Sequence, residues 1–139
     1  MSSDARLTAR TLLRKASDDL CAAACLGENP AVSPWTVGFH AQQAVEKALK
    51  AVFAHRRIRY PFIHDIEALI IIAKNESLHL PPDSEALSSL TPFAALFRYE
   101  DEDWGAPISI GLVRMLGLAE TTVAWARALL DEDNPSSES

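Results

Sequence analysis

A cluster of cations, three histidines, a pair of cysteines and one arginine beside an acidic run are the residues of this chain best suited to chemistry. Lys47, Lys50, Arg56, Arg57 and Arg59 gather at the end of one helical segment and in the loop after it. Such a patch can face an anion, because ammonium and guanidinium groups neutralise phosphates. Basic residues in a helix's last turn also complement its dipole, so the pattern has a purely structural use as well. His64 and Asp65 stand side by side, as in metal phosphohydrolases that carry an HD pair. Those sites need further His and Asp ligands on other helices, and a helix N-terminus explains both residues here, with Asp65 favoured by the dipole and His64 packing or capping. His40 reads as a packed residue and His55 as a surface residue of the basic end. Cys21 and Cys25 lie four apart in a helical stretch and read as small core residues. They could be half of a metal site, but the second ligand pair needed for four-coordination is missing. No metal and no cofactor is expected.

Positioning these groups requires helices. The sequence FHAQQAVEKALKAVF from Phe39 to Phe53, read together with Val37 just before it, places Val37, Ala41, Ala44, Ala48 and Ala51 along one side of a helix, with Val45, Leu49 and Val52 beside them. Gln43, Glu46, Lys47 and Lys50 take the other side, where Glu46 and Lys50 are four apart in the favourable order for an exposed ion pair. A preceding helix runs from about Asp4 to Leu26, burying Ala9, Leu13, Ala16, Leu20 and Ala23 or Ala24 and leaving Arg6, Arg10 and Arg14 in a solvated stripe with Asp18. Gly27 ends it. Ser33 and Pro34 suit the cap and first position of the next helix, which continues to about Arg56. Asp65 caps a third helix containing Ile66, Leu69, Ile70 and Ala73; no partner strand exists for Ile70 to Ile72. Pro81 and Pro82 break the chain, and a short helix restarts at Asp83 or Ser84 and reaches about Phe97, disturbed near Pro92. The last helix begins near Pro107 and reaches Leu130, using Ile110, Val113, Leu116 or Leu118, Val123, Ala126 and Leu130. The expected fold is all-α: an antiparallel four-helix bundle with one additional short helix, in a single domain over residues 1–130, followed by a flexible acidic tail over residues 131–139.

Composition sets wide limits. A chain of 139 residues, 48% hydrophobic, is long enough for one core and too short for two domains. The formal charge of -6 argues against general nucleic-acid binding, although the cations are concentrated and Glu100, Asp101, Glu102 and Asp103 form an acidic run elsewhere. No apolar run is long enough to span a bilayer, and the first residues lack signal-peptide character, so a cytoplasmic location without membrane attachment is expected.

The order Ala-Gln-Gln-Ala-Val-Glu-Lys-Ala-Leu-Lys-Ala from Ala41 to Ala51, a basic loop with Tyr60-Pro61, the step His64-Asp65-Ile66-Glu67-Ala68-Leu69 and a later Arg98-Tyr99 resemble the HEPN domain (higher eukaryote and prokaryote nucleotide-binding). The likeness runs from about Leu7 to Leu130. It marks Gln43, Glu46, Lys47, His64 and Asp65 as motif residues with structural roles. Many proteins of that family are metal-independent RNases in which an Arg and a following His, supplied by both protomers of a dimer, share one cleft. The guanidinium grips a phosphate bidentately, and the imidazole accepts the proton of an attacking ribose 2′-hydroxyl. Arg98 occupies the place of that Arg, but no His follows between Glu100 and Pro107. Four acidic side chains there would repel RNA phosphate.

The resemblance therefore implies a homodimeric accessory or binding module that partners a minimal nucleotidyltransferase in toxin–antitoxin fashion and binds a nucleotide or RNA, rather than a standard RNase. Lys47, Lys50, Arg56, Arg57, Arg98 and Tyr99 are the candidate ligand-binding residues. Two alternatives remain open: a metal-independent RNase with a non-standard acid or base among Glu100, Asp101 and Glu102 near Arg98, and a ligand-free interaction scaffold. Arg98 either anchors an anion or pairs with Asp101 or Glu102 to fix the turn before the last helix.

Overall fold

A computed structural model of the chain describes residues 3–94 and 110–132. Its elements follow in the order α1 (Ser3–Gly27), α2 (Pro34–His55), α3 (Ile66–Asn75), a 3-10 segment (Ser84–Ala94) and α4 (Leu112–Glu132). No strand occurs among the described residues, and the fold is an all-α bundle. Arg98, Tyr99, Glu100, Asp101 and Glu102 lie outside the described residues.

The ends of the helices are set by local chemistry. Ser33 caps α2, its hydroxyl accepting from the Trp35 N–H at 3.1 Å, and Pro34 takes the first turn, where its missing N–H costs nothing. Asp65 caps α3 through the Ala68 N–H at 3.3 Å. The last helix starts at Leu112 rather than near Pro107. Its hydrogen-bond ladder opens with the Met115 N–H donating to the Gly111 carbonyl at 3.0 Å. The expected fourth helix is a 3-10 turn series, as suits a stretch with Pro92 inside it and no donor at that position.

Helix α2 occupies the centre, in contact with α1, α3, the 3-10 segment and α4. The alanine side behaves as its spacing requires: Val37, Ala41, Ala44, Ala48 and Ala51 are buried, as are Val45, Leu49 and Val52. Small side chains let α1 approach closely, and Ala9, Ala16 and Ala23 supply the matching stripe. Gly38 extends the same logic to the 3-10 segment, for a Cβ there would sit 2.3 Å from Cδ1 of Phe93, whose ring packs against Trp35 at 4.7 Å.

Three readings of side-chain placement are corrected. Cys21 and Cys25 are exposed, because each lies two residues from buried Ala23, about 200° of helix rotation away. Val113 is 87% exposed, and Met115 takes the core position instead. His55 is buried at the end of α2, not a surface residue.

Candidate functional site

The largest departure from the periodic reading is the polar side of α2. With other elements packed around it, this helix has little solvent face, and Gln42, Glu46 and Lys50 are buried one turn apart. Groups of this kind are tolerated inside only when they satisfy one another. Lys50 Nζ donates to Glu46 Oε2 at 2.8 Å, and Gln42 Nε2 donates to Glu46 Oε1 at 2.9 Å. His64 Nδ1 reaches the same Oε1 at 2.9 Å from the other side of the loop. Gln43 completes the chain by donating to Gln42 Oε1 at 2.7 Å. Burial pushes the Glu46 carboxyl up, but the hydrogen bonds from Lys50, Gln42 and His64, with the Lys50 charge, outweigh it and hold the group below the usual carboxylate value. Every buried side-chain nitrogen and oxygen among the described residues has a partner.

This cluster also grips the chain above it. Lys50 Nζ donates to the Ile63 carbonyl at 3.1 Å, and Gln42 Nε2 to the His64 carbonyl at 3.3 Å. Tyr60 folds inward, its ring 5.7 Å from that of Phe53 and its centroid 5.8 Å from the Lys50 ammonium, and burial pushes its phenol up. The loop between α2 and α3 is thus fastened from beneath at Tyr60, Ile63 and His64.

At its start, the loop leaves α2 through a left-handed residue. The Ile58 N–H donates to the Phe53 carbonyl at 2.8 Å and the Arg57 N–H to the Ala54 carbonyl at 3.2 Å, with Arg57 at φ 58. That pattern usually places glycine at the Arg57 position. Arg57 and Arg59 are exposed. Between the inward residues, the Ile63 N–H donates to the Pro61 carbonyl at 2.9 Å, closing a three-residue turn on Phe62. Phe62 is 102% exposed, as open to water as in an unfolded chain.

The cations that the sequence groups together therefore separate in space. Lys50 is turned inward. Lys47 bonds to Asp19 of α1, whose other oxygen holds His40 Nδ1 at 3.1 Å, so both α2 residues fasten α1 to α2. Arg56, Arg57 and Arg59 are the exposed members. Of the motif residues, Glu46 is buried in the cluster, exposed His64 and half-buried Gln43 bond to it from its rim, Asp65 serves as a cap and Lys47 belongs to the Asp19 group. Asp19 and Phe62 were not singled out from sequence, and of the two adjacent glutamines in the motif Gln43 was named rather than Gln42. Gln42 had a readable signal, since residues 42, 46 and 50 form a polar stripe on a helix that is otherwise mostly apolar. Asp19 and Phe62 had none.

A central helix with a buried polar stripe, anchoring a basic loop that follows it within an all-α bundle, defines a small helical module. The model of the HEPN domain matches residues 9–131, and the chain belongs to that family. No curated protein and no solved structure matches it. Membership supports a function connected with nucleotides or RNA. Among the described residues, no helix is long and apolar enough to cross a membrane.

Proposed function

We propose that this chain is a HEPN accessory and binding module that acts as a homodimer, partners a minimal nucleotidyltransferase in a toxin–antitoxin-like pair, and binds nucleotide or RNA phosphates at the loop after α2. It lacks standard RNase activity. The observation that carries the binding role is the division of the cations: Lys50 is spent on Glu46 and Ile63, while Arg57 and Arg59 project from a loop whose backbone that same lysine fixes. Guanidinium groups on a fixed backbone lose less conformational freedom when they meet a phosphate. The case against RNase chemistry is the acidic run that follows Arg98, where the catalytic imidazole would stand.

Three measurements test the parts separately. Incubation of the purified protein with structured and unstructured RNA in EDTA should give no cleavage beyond that of an Arg98→Ala control; cleavage that needs Arg98 overturns the non-catalytic role. Titration calorimetry with ATP, AMP and short RNAs should give saturable heat that falls for Arg59→Gln. The neighbouring gene should encode a minimal nucleotidyltransferase, and mixing the two proteins should shift the size of the complex; finding neither removes that partner.

A further inference from the structure

We propose that Phe62 is a stacking platform for one base of a single-stranded polynucleotide, with Arg57 and Arg59 holding neighbouring phosphates; this rests on the binding role just given and extends it to a base. A phenyl ring left fully in water forgoes the gain that burial would give it. Nothing in the local sequence obliges this, because nearby apolar residues of the same loop do turn inward: Tyr60 onto Phe53, and Ile63 to half-buried packing on the core. The turn closed by Pro61 and Ile63 holds Phe62 outward, and the bonds from Lys50 and Gln42 to the Ile63 and His64 carbonyls fix the backbone just beyond it. The ring is therefore presented on a fastened loop.

The surroundings select the occupant. An exposed aromatic ring on the same loop as two exposed guanidinium groups is a combination suited to single strands, the ring taking a base and the cations tracking the backbone. A protein partner would call for a contiguous apolar patch, and the exposed residues flanking Phe62 in the chain include Arg57, Arg59, Pro61 and His64, with Asp65 capping α3 and Glu67 in its first turn. Of these two carboxylates, Asp65 is engaged with the Ala68 N–H. Keeping arginine rather than glycine at the left-handed position 57 carries a steric cost, which fits a surface use for its side chain. Stacking and phosphate contacts do not read the 2′-hydroxyl, so RNA and DNA of equal sequence should bind within a few-fold of each other.

Fluorescence anisotropy on the full chain at low salt tests this with a labelled RNA of about 12 nucleotides, the matching DNA, and inorganic polyphosphate as a base-free anion. Phe62→Ala should weaken RNA and DNA binding roughly 5- to 160-fold, the range for loss of one stacked base, with polyphosphate binding unchanged. Phe62→Trp should retain binding, and Arg59→Gln should weaken all three probes. Thermal melting of Phe62→Ala should match that of the native chain, since the ring packs on nothing. Equal RNA affinity for native and Phe62→Ala proteins overturns the stacking role while leaving the phosphate role standing. Absence of binding to RNA, DNA and polyphosphate alike overturns both. Loss of a protein partner, without loss of RNA binding, on Phe62→Ala assigns the ring to protein docking and overturns the proposal.

Discussion

Substituting Lys50 by Met asks whether the pair beneath the loop is a buried ion pair or a surface one. An exposed Glu–Lys pair four apart on a helix contributes about 0.2–0.5 kcal/mol. Removing one partner of a buried pair costs about 3–5 kcal/mol, because a desolvated charge is left behind. Here the side chains of Lys50 and Glu46 are only 10% and 5% exposed, so the second regime governs. Glu46 would keep Gln42 and His64, which places Lys50→Met at the lower end, about 3 kcal/mol. Glu46→Leu leaves the Lys50 ammonium with the Ile63 carbonyl as its hydrogen-bond acceptor and should cost at least as much. The double substitution removes both charges and should cost less than the sum, giving a coupling of about 2 kcal/mol or more between neighbours in one network. Urea unfolding reads this directly: at a slope of about 1.5–2 kcal/mol/M, a loss of about 3 kcal/mol moves the midpoint by about 1.5–2 M. A Lys50→Met midpoint within about 0.5 M of the native one would refute the buried cluster, since only a solvated pair is that cheap to break.

The same glycine-to-alanine change should have opposite signs at two sites. Gly38→Ala drives a Cβ into the Phe93 ring and should lower stability by about 1–3 kcal/mol, whereas at Gly117 nothing lies within 4 Å and alanine should raise it by about 0.8–1 kcal/mol through helix propensity; melting curves of both variants check this. Ser77, at φ 56 after α3, occupies the left-handed end of the same hydrogen-bond pattern as Arg57, so Ser77→Gly should stabilise by up to about 1 kcal/mol, read as a raised urea midpoint. Acid should act through Glu46: its folded value is held below the unfolded one, so its contribution is complete above about pH 4.3 and is lost as pH falls through the lower folded value. Midpoints measured from pH 6 to pH 3 should therefore fall more steeply for the native chain than for Glu46→Gln, and parallel curves would contradict the assignment.

How much the sequence disclosed depended on whether one period or several faces were at stake. The alanine stripe of α2, the Ser33 and Asp65 caps and the breaks at Gly27 and Pro81-Pro82 are local signals, and each element begins or ends close to where they place it. The polar stripe misled, because periodicity reports a contrast between faces and cannot say whether another element covers the polar one. Glu46 and Lys50 suit an exposed pair by spacing; they are buried because the loop carrying Ile63 and His64 folds over them, a contact spanning 13 to 18 residues. Cys21 and Cys25 failed for the opposite reason: residue type suggested burial where rotation about α1 turned them outward. Of the expected tail, Asp131 and Glu132 continue α4, whereas residues 133–139 and those around Arg98 lie outside the described part of the chain.

Cluster and loop together determine what a loss of binding would mean. Lys50 does not project from the surface, yet its substitution would release the Ile63 carbonyl and loosen the backbone next to Phe62. Binding would then weaken through the entropy of re-ordering the loop, with no contact to ligand removed. A direct contact and a positioning role differ in what else they change. Arg59→Gln should reduce affinity at constant stability, with the salt dependence falling by about 0.7 in log–log slope for one lost phosphate contact to a single strand. Lys50→Met should reduce stability and affinity together while leaving that slope unchanged, because no phosphate partner is removed. If Lys50→Met instead lowered the slope as Arg59→Gln does, its ammonium would have to reach the ligand, and the inward geometry at Glu46 could not be the binding-competent one.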